Sequence, residues 1–145
     1  MTSAATKTAR LLSGVPYAVL GYQNLQNPAP AASLLAPATA KVRAKAPFIP
    51  NDELLVRINA GAQTVAGSLL ALGVAPRLAA LALVGSLVPT TLVGHPFWTV
   101  QDEAARKQQR TQFLKNAAML GGLVLAAAPS APHRGDVGST APTLE

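Results

Sequence analysis

Residues 54–94 read LLVRINAGAQTVAGSLLALGVAPRLAALALVGSLVPTTLVG. No Asp, Glu, Lys or Arg occurs from Ile58 to Pro76, or again from Leu78 to Gln101. Each gap is about as long as a helix that crosses a bilayer, which takes roughly 20 mostly apolar residues. A helix of that length in water needs a charged face, and neither segment has one. Gly73 suits a helix C-terminus and Pro76 the first turn of the next helix. The stretch therefore predicts two helices, 54–74 and 76–94, folded as an antiparallel hairpin. Pro89 should kink the second, a distortion tolerated when neighbouring groups satisfy the freed backbone.

Upstream, Asn51 or Asp52 suits the N-cap of the first of these helices, with Asp52 and Glu53 near the positive end of its dipole. Asn27 to Pro50 is Pro- and Ala-rich. Prolines at 28, 30, 37, 47 and 50 argue against a long regular helix, so a long Pro/Ala-rich first loop is expected. Its mildly apolar part, Ala31 to Val42, could lie in the interface or re-enter the membrane. Leu11 to Leu25 is a further hydrophobic segment, interrupted by Pro16 and closed by Gln23 and Asn24. It reads as a retained span. The competing reading is a secretory signal peptide, with Lys7 and Arg10 as its basic region and Ala29-Pro30-Ala31 as a cleavage site.

Downstream, His95 to Gln112 is polar. Asp102 and Glu103 followed by Arg106, Lys107 and Arg110 suit an exposed helical turn. A last apolar helix is expected over 113–128, reaching back through Gln109 to gain length, with Pro129 and Pro132 stopping it. The Gly121-Gly122 pair would allow close helix approach. His133 to Glu145 is polar and rich in Gly, Ser, Thr and Pro, which predicts disorder for 129–145. The expected fold is an all-α membrane protein. It is a four-helix transmembrane bundle in one domain over 1–128, with spans at about 11–25, 54–74, 76–94 and 113–128.

Only 12% of the 145 residues are charged, against about 25% in soluble domains. The net charge is +6, and the basic residues cluster beside apolar segments, which suits anionic lipid headgroups. Aromatic residues are too few for base stacking, so nucleic acid is not an expected partner. With no cysteine, disulfides, thiolate catalysis and iron–sulfur clusters are excluded. Lys41, Arg43, Lys45, Arg57, Arg106, Lys107, Arg110 and Lys115 fall on one side of a four-span arrangement. Lys7, Arg10, Arg77 and Arg134 fall on the other. The bias places the first and third loops inside and the termini outside, whereas the leader charges argue the reverse.

The segments Leu-Val-Arg-Ile-Asn-Ala-Gly-Ala-Gln (55–63), Leu-Gly-Val-Ala-Pro-Arg (72–77), Pro-Thr-Thr-Leu-Val-Gly-His-Pro-Phe-Trp (89–98) and Gln-Phe-Leu-Lys-Asn-Ala-Ala-Met-Leu-Gly-Gly-Leu (112–123) resemble the DoxX family of small bacterial membrane proteins. The resemblance covers about half the chain, from Leu54 to Val124. It implies a multi-pass protein of the bacterial plasma membrane. The family is similar to the small subunit of archaeal thiosulfate–quinone oxidoreductases, and some members look like parts of membrane oxidoreductase assemblies that work with a dismutase and a sulfurtransferase. That kinship implies a quinone as candidate cofactor, none bound covalently, and other protein subunits as partners.

The residues themselves offer one candidate site. Asn59 and Gln63 are four apart and share a helix face, with Arg57 nearly two turns before Gln63 and Gly67 continuing the line. His95 ends the second hairpin helix, after Pro89, Thr90 and Thr91, and Asn116 begins the last helix. Polar groups in hydrocarbon are costly and need partners. Arg57, Asn59, Gln63, His95 and Asn116 are therefore expected to converge on one polar pocket that could bind a quinone headgroup. The plainer alternatives are a snorkelling Arg57, interhelical hydrogen bonds from the amides, and an interfacial His95 fixing its loop. Phe97, Trp98 and Lys115 read as interface anchors. Ala60, Thr64, Ser68 and Leu72 form a partial small-residue stripe. No metal site is expected, since a lone His95 and the distant His133 lack ligand spacing. No nucleophile–base pair or phosphate loop occurs.

Two functions of different class remain. One is a membrane subunit of a redox assembly that binds a quinone and is not catalytic alone. The other is a non-catalytic anchor or scaffold that recruits soluble partners through its basic loops. Transport is weaker, because four short spans in one copy leave little room for a pathway. A homo-oligomer is compatible with all three.

Overall fold

A computed structural model describes residues 4–127. Within them lie five α-helices and one short 3-10 turn, without a strand. In chain order they are α1 (Ala4–Gln26), α2 (Ala29–Arg43), α3 (Asp52–Leu72), α4 (Pro76–Gly94), the 3-10 turn Phe97–Thr99, and α5 (Glu103–Ala127). The expected tail over 129–145 lies outside the described residues.

The central hairpin forms as its residue types dictate. Asn51 caps α3 in an extended conformation, its Oδ1 accepting from Leu54 N at 2.9 Å. Asp52 and Glu53 occupy the first turn. Gly73 closes the helix with φ of 74°, and Val74 N reaches back to Leu69 O at 2.9 Å. That αL cap is cheap only for glycine. Ala75 also has positive φ, at 42°, before Pro76 starts α4 at a position where its missing N–H costs nothing.

The expected loop over Asn27–Pro50 is corrected by α2. The reason is where the prolines fall. Pro28 is the N-cap and Pro30 is in the first turn, where no intrahelical N–H is required. Pro47 and Pro50 come after the helix has ended. Only Pro37 interrupts the interior, too little to prevent the helix. Lys41 and Arg43 in the last turn favour the negative end of its dipole. At 15 residues α2 is about 22 Å long, short of a hydrocarbon core of about 30 Å.

Two other bounds move. α1 begins well before Leu11 and carries Pro16 through its middle. α5 is continuous from Glu103, so the polar 103–112 segment and the apolar 113–127 segment are one helix. Asp102 starts it by accepting from Ala105 N at 2.7 Å.

α1 packs antiparallel to α3 at backbone contact. A Cβ at Gly14 would lie 2.5 Å from Gly67 O and 2.6 Å from Ala71 N. A Cβ at Gly67 would lie 2.6 Å from Ala18 N, and one at Gly21 2.7 Å from Ala60 O and Thr64 N. Close approach was expected at Gly121 and Gly122, yet nothing approaches either within 4 Å, because both face outward from α5. The core lies where α3, α4 and α5 meet Tyr17 of α1, around Leu70, Leu83, Leu87 and Leu123. Exposed apolar residues remain on the outer faces of several helices, among them Leu12, Val65, Leu78 and Leu125. Among the described residues, one segment, Pro76–Thr99, is long and apolar enough by itself to cross a membrane.

Two outcomes follow for stability. Gly67→Ala should destabilise by about 1–3 kcal/mol, the usual cost of forcing extra volume into a closed contact. Gly122→Ala should be neutral or stabilising by about 0.5–1 kcal/mol, since it only improves helix propensity. Thermal unfolding in detergent compares them; equal effects would show that the α1–α3 contact is not tight.

Candidate functional site

α4 is apolar along most of its length, and Ser86 is the only polar side chain between Leu78 and Val88. It sits buried opposite α3. Gln63 Nε2 donates to Ser86 Oγ at 2.9 Å, and Ser86 Oγ donates to Asn59 Oδ1 at 2.7 Å. Asn59 and Gln63 thus share one face of α3, joined through a residue of α4. Gln63 is only 7% exposed, so these bonds replace the water it lacks. Thr90, one turn on from Ser86, donates to Ser86 O at 2.7 Å.

Above this relay opens a pocket of about 350 Å³ between α2 and the α3–α4 hairpin. Leu34 and Leu35 of α2, Leu55 and Val56 of α3 and Val93 of α4 give it apolar walls. Asn24 of α1, together with Asn59, Gln63, Thr90 and His95, supplies polar atoms. His95 ends α4, its N–H bonded to Thr91 O at 3.0 Å. Its ring Nδ1 lies 2.7 Å from Gln109 Oε1 of α5.

Asn59, Gln63 and His95 therefore line one pocket. Arg57 and Asn116, expected with them, stand elsewhere. Arg57 is exposed and donates through Nη1 to Leu25 O at 2.8 Å, where it caps the C-terminal end of α1. Asn116 Nδ2 donates to Thr91 Oγ1 at 3.0 Å on the α5 side of α4. Consecutive helical residues point about 100° apart, so Thr90 serves the pocket while Thr91 serves α5. Phe97 and Trp98 form an edge-to-face cluster with Phe113, with ring centroids 5.2–6.0 Å apart. Trp98 stays 55% exposed, and Lys115 is exposed on α5.

Residue types and spacing did not single out Ser86 or Gln109. The signal for Ser86 was its isolation in an apolar run. Gln109 had none, since only the fold brings α5 beside His95.

α2 is held over the pocket by one carboxylate. Asp52 Oδ1 accepts from Thr39 Oγ1 at 2.6 Å and from Arg43 Nη2 at 2.7 Å, and Arg43 also donates to Pro50 O. The hydrogen bond from Arg43, then that from Thr39, holds the Asp52 carboxyl below its ordinary value of 3.8.

An all-helical chain with an apolar hairpin at its centre and a pocket between helices has the architecture of a small helical membrane protein. The DoxX family model matches residues 5–96, most of the chain, so this chain belongs to the DoxX family, a family of membrane proteins. The match takes in α1, α2 and the hairpin, and ends one residue past His95. No curated protein and no solved structure matches the chain.

The pH dependence of the Asp52 contact has a definite sign. A carboxyl depressed on folding contributes stability above its unfolded value, and loses it only as pH falls through the lower folded value. Protection factors for amide exchange over 29–43, taken relative to the intrinsic rate at each pH, should therefore be unchanged between pH 8 and pH 5, and fall only in stronger acid. Asp52→Asn should raise exchange in α2 at pH 7 while leaving α4 protected. An unchanged α2 would show that this contact does not hold the helix.

Proposed function

We propose that this chain is a multi-pass subunit of a redox assembly in the bacterial plasma membrane, and that its α2–α3–α4 pocket holds a quinone headgroup. The observation that carries this reading is the pocket itself, with apolar walls around a floor of Asn59 and Gln63 that are joined behind it through Ser86. Its volume of about 350 Å³ falls within the roughly 300–1,000 Å³ of small-molecule sites. A quinone needs a few polar contacts for its ring oxygens and apolar surroundings for its tail, and the lining supplies side chains of both kinds. Family membership supports the membrane setting.

In this reading α1, α3 from Leu54, α4 and α5 from about Gln109 cross the membrane. α2 lies against them without crossing. The exposed apolar faces of these helices support lipid contact, since such surface is favoured in hydrocarbon and costly in water. Lys7 and Arg10 on α1, and Arg57 on α3, lie near helix ends, where long basic side chains reach the headgroups. In this reading the subunit is not catalytic alone, and electron transfer falls to partner subunits.

A second reading, a scaffold for soluble partners, draws on the first turns of α5, where Arg106, Lys107 and Arg110 are exposed. The two readings differ in what travels with the protein.

Membranes containing the chain should keep it through a carbonate wash and release it only to detergent. Organic extraction and mass spectrometry of the purified protein should then find quinone. His95→Ala and Asn59→Leu should each lower the retained quinone pool, counted as quinone plus quinol, at least about tenfold, the loss of one good polar contact, with unfolding temperatures near that of the parent. Quinone-free parent protein that retains a soluble partner would favour the scaffold. Unfolding of His95→Ala would instead assign His95 a structural role.

A further inference from the structure

We infer that the pocket takes the reduced, dihydroxylated form of its quinone in preference to the oxidised form. The inference rests on the quinone reading above and adds the redox state of the ligand. It comes from the direction of the hydrogen bonds. Ser86 has one hydroxyl proton, and Asn59 Oδ1 accepts it at 2.7 Å. Ser86 Oγ therefore receives its other bond from Gln63 Nε2, at 2.9 Å. This relay occupies the carbonyl of Asn59 and leaves its NH2 group. It turns the nitrogen of Gln63 inward and leaves Oε1. Thr90 spends its only proton on Ser86 O and keeps an oxygen that can accept. His95 Nδ1 faces the carbonyl oxygen of Gln109 at 2.7 Å. A carbonyl oxygen only accepts, so Nδ1 carries the hydrogen, which in the tautomer it selects puts the lone pair on Nε2.

The pocket residues thus offer acceptors at Gln63 Oε1, Thr90 Oγ1 and His95 Nε2, with donors from the amides of Asn59 and Asn24. A quinone ring brings two carbonyl oxygens and no donor, so it can accept from the amides but leaves the three acceptors without a partner. The quinol brings two hydroxyls, each able to donate to these atoms and to accept from Asn59. A site built to receive a hydroxyl disfavours the analogue that lacks it, because its buried polar atoms are then left unpaired. His95 and Gln63 contact the ligand in this arrangement. Ser86 and Gln109 are positioning residues, which set which atom each contact presents.

The test uses the full chain in lipid nanodiscs without oxygen, titrated with a short-tailed benzoquinol and with the matching benzoquinone. The quinol should bind about tenfold more tightly, and the midpoint potential of the bound two-electron couple should rise by about 30 mV. Equal affinities, or tighter binding of the quinone, would overturn the inference while leaving the quinone reading standing. Binding of neither probe would remove that reading itself. Gln109→Leu frees His95 to carry its hydrogen on Nε2, and Ser86→Ala frees both amides to turn. Each variant should narrow the preference to within about twofold, with quinone affinity rising. A folded Ser86→Ala or Gln109→Leu protein with the parental ratio would show that the relay does not set it. If neither variant folds, the parental ratio alone decides.

Discussion

The backbones of α1 and α3 touch, and the rest of the bundle is arranged around that contact. Gly14, Gly21 and Gly67 let the two helices approach until a single added carbon would meet a carbonyl or amide of the partner. In a membrane such contacts hold helices together through close packing rather than through exclusion of water. The contact also fixes the rotation of α3. With Ala60, Thr64, Gly67 and Ala71 committed to α1, the neighbouring line of Asn59, Gln63, Ala66 and Leu70 turns towards α4 and the core. Thr64 and Ser68 satisfy their own hydroxyls by donating one turn back along the helix.

α4 then acts as a divider. Ser86 and Thr90 face α3 and the pocket, whereas Thr91 faces Asn116 of α5. Polar side chains on this apolar helix each find a defined partner, as groups remote from water must. The pocket exists because α2 does not run flush with the hairpin. Its C-terminal end is tied to the start of α3 at Asp52, while its leucines overhang the amides of α3. One buried polar group is left over. Tyr17 Oη lies in the core without a hydrogen-bond partner among the described residues, and nothing in the structure explains it.

The local signals in the chain were strong where a residue type has few uses. Gly73 before Pro76, and Asn51 before two acids, announced the hairpin and its caps, because only those residues suit those backbone positions. The charge-free gaps marked α4 as membrane-length. Proline was the misleading signal between 27 and 50. Its effect depends on position within a helix, and counting prolines ignores that three of the five flank α2. Glycine misled in the same way at 121–122. A helix face becomes a contact only if something packs on it, and the seven-residue spacing of Gly14 and Gly21 was the better guide to where helices meet.

By itself, then, the sequence determined that the chain is helical, that its centre is an apolar hairpin, and that Asn59 and Gln63 share a face. These follow from backbone preferences and from the 3.6-residue period, which act over a turn or two. The tertiary structure alone decided which polar residues meet. It joined Gln63 to Ser86 across two helices and brought Gln109 to His95, and it sent Arg57 and Asn116 to other partners. The physical reason is that helix rotation decides these partners. That rotation is set by backbone contact between α1 and α3, far along the chain from the residues it aligns.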